Sequence, residues 1–132
     1  MGGLPPRPRK NPHPLRGVWA SFRFAWEGLL YAWQEQRNLR VQSLLALLAL
    51  GLTLWLGVDP VPILLASGLV LSLELMNTAL EALTDLVAPT SHPLAKRAKD
   101  TAAASVLMAS LVALLVGAFH LLPPLFRRLG LS

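Results

Sequence analysis

The chain contains no cysteine. Disulfides, thiol nucleophiles and cysteine-bound metals are therefore excluded. It is also poor in charge. Only 14% of its 132 residues are charged, where an ordinary soluble domain carries about a quarter. Neither a P-loop nor a Gly-rich kinase loop occurs, so any nucleotide site is of another type. The three histidines lack metal-ligand spacing, and no internal repeat is visible. A signal peptide is not expected, because no apolar core directly follows the first residues. Myristoylation is not expected either, because Pro6 stands where a Ser or Thr is required.

What the chain has is apolar surface: 54% of its residues are hydrophobic and its mean hydropathy is +0.52. Its length suits one domain. A net charge of +5 and a pI near 10.8 would suggest nucleic acid in a soluble protein. In an apolar chain the same basic residues flank membrane spans and set their orientation, so no nucleic-acid partner is expected. The fold class implied is an all-α integral membrane protein.

Residues 1–14, "MGGLPPRPRKNPHP", read as a disordered cationic tail on an anionic membrane surface. The remaining domain covers 15–132. In residues 15–40, Val18, Trp19, Phe22, Trp26, Leu29, Leu30 and Trp33 recur at helical spacing among charged residues. The pattern predicts an amphipathic surface helix with its rings at headgroup level. Three membrane spans follow, at about 41–58, 61–86 and 99–122, each long enough for a bilayer core of roughly 30 Å. Asp59-Pro60-Val61-Pro62 forms the first turn, and Pro123-Pro124 is expected to stop the last helix. Seven basic residues precede Val41, and the segment Ala88–Lys99 carries Lys96, Arg97 and Lys99. The Asp59 turn carries none. The N-terminus is therefore expected on the cytoplasmic side of the plasma (inner) membrane, with multiple passes.

The second span ends in "ELMNTALEALTD". Glu74, Asn77, Thr78, Glu81 and Asp85 fall within roughly a third of a helix circumference. Leu75, Leu80, Leu83 and Leu86 take the opposite face. A carboxylate at this depth costs a few kcal/mol and faces a bundle interior or a wet cavity. Glu74 can serve as a general base. Glu81, two turns on, suits Mg²⁺, which takes hard oxygen ligands alongside phosphates. Asn77 can hydrogen-bond a substrate. Lys99 and Asp100, at the start of the third span, can balance phosphate charge. Base, metal ligand and phosphate-binding cation are the parts that phosphoryl transfer requires. The bland alternative pairs Glu74 and Glu81 with Lys or Arg between helices. Thr78 reads as a packing residue.

The segment "ELMNTALEALTD…SHPLAKRAKDTAAASVL", Glu74 to Leu107, resembles the prokaryotic diacylglycerol kinase family. The shared pattern is Glu-x-x-Asn-Thr/Ser-Ala-x-Glu-x-x-x-Asp, followed by Ala-Lys-Asp. The form "HPLAK-x-AKD" is most similar to the undecaprenol kinases of Gram-positive bacteria. "SFRFAWEGLLYAWQEQRNLR" resembles the family's surface helix. The resemblance implies a homotrimeric lipid kinase in the bilayer, using ATP and Mg²⁺ to phosphorylate diacylglycerol or undecaprenol. It implies Glu74 as general base, Asn77 in the catalytic pocket, and Glu81 on the metal that carries ATP. Lys99 and Asp100 match an ATP-contacting pair. Thr90, Ser91 and His92 match a loop that closes on the nucleotide, and Arg16 matches an N-terminal ATP-contacting arginine.

One position departs from that pattern. The family's first metal-binding Glu aligns with Gln36, and Glu35 is its neighbour. One helical step is about 100° of rotation, so Glu35 reaches the metal only if the helix shifts. Two other functions stand beside the kinase: a small proton-coupled transporter subunit using Glu74, and a catalytically weakened homologue that binds lipid. A transporter would show inverted repeats or broken helices, and neither is visible in the sequence.

Overall fold

The computed structural model describes residues 14–131, with the side chains of Pro14, Leu15 and Arg16 left out of that description. The basic tail, residues 1–13, lies outside it. The described residues form four helices and no strand: α1 Pro14–Glu35, α2 Arg37–Leu56, α3 Val61–Val87 and α4 Pro93–Arg128. The chain divides into two units, 1–31 and 32–132.

Most of α1 makes up the first unit. Its aromatic residues are uncovered within that unit: Trp19, Phe22, Phe24 and Trp26 are all exposed. Between them, Arg23 pairs with Glu27 one turn on and stacks over Phe24. Exposed rings interleaved with charge are what a helix at a membrane interface carries.

In the second unit, the surface helix and the first span are not one continuous helix. Gln36 takes an extended conformation, φ −103° and ψ 106°, and α2 begins at Arg37. A break of this kind leaves carbonyls of the preceding turn without donors. Arg40 supplies two, donating from Nη1 to the carbonyls of Trp33 and Gln34.

Helices α2, α3 and α4 are each long and apolar enough to cross a membrane. Their packing is closest between α3 and α4. The buried residues of α3 are Ile63, Val70, Glu74, Asn77 and Thr78, a stripe recurring at helical spacing. Against it α4 buries Ala102, Val106 and Ala109, at i, i+4 and i+7. Small residues there let the two backbones approach closely, as in lipid-embedded helix pairs. Leu44, Leu47, Leu48, Leu65, Leu114 and Phe119 remain exposed. That surface is far larger than a water-soluble monomer leaves bare. The chain is an all-α membrane protein.

The α2–α3 turn is built by its sequence. Gly57 caps α2 at φ 71°, a left-handed conformation glycine takes at no steric cost. Asp59 Oδ1 accepts from the Val61 amide. His120 of α4 places Nε2 2.7 Å from the Asp59 carbonyl oxygen. A carbonyl only accepts, so that nitrogen carries the proton.

The last helix does not stop at Pro123-Pro124 but runs on to Arg128. Prolines have no N–H, so the carbonyls of Phe119 and His120 lose their regular donors. The extra turns are held from outside the helix. Arg128 donates to the Trp55 carbonyl at 2.6 Å, and its guanidinium sits 4.2 Å from the Trp55 ring centroid.

Candidate active site

Glu74 lies 13 residues into α3, about 20 Å along its axis at 1.5 Å per residue. The stripe predicted from spacing faces inward. Glu74 is 2% exposed, Asn77 7% and Thr78 4%. Glu81 is half-buried and Asp85 exposed, so the stripe grades from dry to wet as the helix leaves the bundle. Leu80, Leu83 and Leu86 on the other face are exposed.

Burying a carboxylate without a partner costs several kcal/mol. Among the described residues, Glu74 has no cation paired with it. Gln42 of α2 instead donates from Nε2 to Glu74 Oε2 at 3.4 Å. The bland alternative of an inter-helix ion pair is therefore not what holds Glu74. Thr78 donates to the Glu74 backbone carbonyl, a packing role, as its position suggested.

Glu81 is held by two amides. Gln36 Nε2 donates to Oε2 at 3.0 Å, and Asn77 Nδ2 donates to Oε1 at 3.1 Å. Gln36 can reach because the backbone breaks at that residue and turns its side chain to α3. Glu35 is exposed and makes no hydrogen bond or ion pair among the described residues.

A cavity of about 220 Å³ opens beside Glu74 and Asn77, lined also by Asn38, Gln42, Val106 and Ser110 among others. Two buried oxygens, Gln42 Oε1 and Asn77 Oδ1, have no hydrogen-bond partner. Buried acceptors left unpaired are costly. Both belong to residues that line the cavity, so a ligand bringing a hydroxyl or a cation would satisfy them. Gln42, Asn38 and Ser110 were not picked out from the sequence. The signal for Gln42 was present: it is a full amide inside the uncharged run "VQSLLALLALGLTLWLGV". Asn38 and Ser110 could be placed only by packing.

Lys99 and Asp100, expected to work as a pair, are bonded to other residues. Lys99 pairs with Asp85 across from α4 to α3, and Asp100 pairs with Lys96 on its own helix. Thr90 and Ser91 are exposed in the five-residue loop between α3 and α4. His92 ends that loop as the N-cap of α4, where Nδ1 accepts from the Leu94 amide at 3.2 Å. Arg16 lies on α1, with its side chain outside the described residues.

No cluster of three or more His, Asp or Glu forms a metal cage among the described residues. The donors that are present fit a cation of another kind. Glu81 offers a hard carboxylate oxygen, and Asn77 Oδ1 is buried beside it without a partner. Mg²⁺ is bound by one or two carboxylates when phosphates and water complete its shell.

Residues 23–121 match the family described as prokaryotic diacylglycerol kinase. Over 109 residues, 80% of its length, the chain is 48% identical to the diacylglycerol kinase of Synechocystis sp., and this match spans 62% of that protein. It is 38% identical over 95 residues to the diacylglycerol kinase of Escherichia coli, covering 70% of the chain and 78% of the relative. With the undecaprenol kinase of Bacillus subtilis the identity is 34% over 114 residues, covering 84% and 93%.

Proposed function

We infer the reaction from one premise: the chain belongs to the prokaryotic diacylglycerol kinase family. It transfers the γ-phosphoryl group of ATP to the hydroxyl of a membrane lipid alcohol. The observation that carries this reading is Glu74, a carboxylate buried in a candidate membrane span, lining a cavity and paired with no cation among the described residues.

Glu74 accepts the proton of the lipid hydroxyl as that oxygen attacks the γ-phosphorus. The bond from the γ-phosphorus to the β–γ bridging oxygen breaks, and ADP leaves with the bonding electrons. Gln42 orients the carboxylate by its hydrogen bond. The unpaired oxygens of Gln42 and Asn77 receive the donors that the lipid headgroup brings. Glu81 and Asn77 would hold Mg²⁺ delivered with ATP, and the ion would offset charge on the phosphates. Lys99 meets the phosphates by exchanging its partner Asp85 for them. Thr90, Ser91 and His92 border the nucleotide from the loop, together with Asp100. The distribution of Lys and Arg supports a cytoplasmic N-terminus. The exposed apolar faces of the spans, together with the family pattern, support a homotrimer.

Purified protein with radiolabelled ATP should phosphorylate diacylglycerol or undecaprenol offered singly in mixed micelles. Labelling of neither lipid would end the kinase reading.

A second expectation separates Gln36 from Glu35. Gln36→Glu would place a second carboxylate about where the amide now touches Glu81. Without a cation the two would repel each other; with Mg²⁺ they would form a stronger site. The variant should therefore melt lower in EDTA than wild type, recover with Mg²⁺, and reach half-maximal turnover at lower Mg²⁺. Glu35→Gln should change neither quantity. The opposite result, with Glu35→Gln raising the Mg²⁺ requirement, would put Glu35 at the metal.

A further inference from the structure

The end of α4 carries a feature the kinase reading does not use. A concavity of about 590 Å³ is lined by Ala118, Phe119, Leu122, Pro123, Phe126 and Arg127. All six residues lie on α4, so one helix supplies the whole lining. They recur at i, i+1, i+4, i+5, i+8 and i+9, which is one face of the helix. The concavity extends beyond residue 121, where the family match ends.

Two observations fix the chemistry of what fills it. Its floor and sides are apolar, and Phe119 is 80% exposed with Leu122 and Phe126 more than a third exposed. Its one charge is Arg127. The neighbouring Arg128 is spent on Trp55, whereas Arg127 makes no ion pair or side-chain hydrogen bond among the described residues. No acidic residue lines the notch, so its own lining gives Arg127 no counter-ion.

We propose that this notch is a binding site for an anionic phospholipid of the leaflet farther from Glu74. Its acyl chain lies along Phe119 and Leu122, and its phosphate meets Arg127.

The test is native mass spectrometry of the full chain released from nanodiscs of phosphatidylglycerol or of phosphatidylcholine. Wild type should retain phosphatidylglycerol and shed phosphatidylcholine. Arg127→Gln should weaken phosphatidylglycerol retention about fivefold, the scale for one basic side chain at an anionic surface. Leu122→Trp, which keeps the charge and fills the notch, should lose retention as well, with unchanged helicity by circular dichroism. Arg128→Gln should lower the melting temperature and keep the lipid preference. Equal retention of the two lipids, or full retention in Arg127→Gln, would overturn the site. So would a change of subunit number in Leu122→Trp with no change in lipid, which would make the notch an interface between copies.

Discussion

Glu74→Gln should abolish lipid phosphorylation, with turnover lower by about 10²–10⁴-fold, while the protein still assembles and melts as wild type does. The substitution keeps the volume and shape of a side chain that is 2% exposed, so no cavity is opened. It also keeps a hydrogen bond to Gln42, because an amide oxygen accepts from Nε2 as a carboxylate oxygen does. What it removes is the ability to take a proton. A positioned base contributes about 10²–10⁴-fold, which is roughly 3–5 kcal/mol of barrier at 1.36 kcal/mol per tenfold. Stability should rise slightly or stay level, since a neutral amide is cheaper to bury than an unpaired carboxylate. The two measurements together are diagnostic. Lost turnover with a retained melting temperature is the signature of a base. Near-normal turnover would remove Glu74 from the proton transfer, and a collapsed melting temperature would make the residue structural.

The stripe from Glu74 to Asp85 could be read from sequence because helical periodicity fixes which residues share a face. An apolar span that carries carboxylates must turn them inward. The burial of Glu74, Asn77 and Thr78 bears that out. The three spans were legible for the same reason: length and hydropathy determine them with little help from tertiary contacts. The partners within the site were not legible. That Gln42 stands in for a cation at Glu74 depends on the rotation of α2 against α3, which no local pattern encodes. The pairing of Lys99 with Asp85 depends on how α4 meets α3. The break at Gln36 has no proline or glycine to announce it. It is stabilised by Arg40 reaching back to two carbonyls and by Gln36 reaching across to Glu81. Likewise Pro123-Pro124 reads as a stop by local rules, and tertiary contacts through Arg128 carry the helix past it.

Glu81→Ala should raise the Mg²⁺ concentration for half-maximal turnover by at least about tenfold, the lower end of what disturbing a metal's surroundings costs. Activity should return in part at high Mg²⁺. Glu81 is held by two side-chain amides, with Gln36 and Asn77 each donating to one of its oxygens. Those contacts hold both oxygens in a fixed plane near the polar cavity, as an oxygen ligand requires. Removing the side chain leaves Gln36 Nε2 and Asn77 Nδ2 without an acceptor, so some loss of thermal stability is expected whatever the role of Glu81. Stability alone therefore decides nothing. Glu81→Gln supplies the control: it keeps the volume and one acceptor oxygen, and loses only the charge. If Glu81 is a ligand, both variants should weaken binding of ADP with Mg²⁺ by calorimetry, and both should leave binding of ADP in EDTA unchanged. If Glu81 only ties α2 to α3, Glu81→Gln should behave as wild type in both titrations. An unaltered Mg²⁺ dependence in Glu81→Ala would place the metal elsewhere. The buried oxygen of Asn77 would then have to find its donor in the lipid headgroup alone.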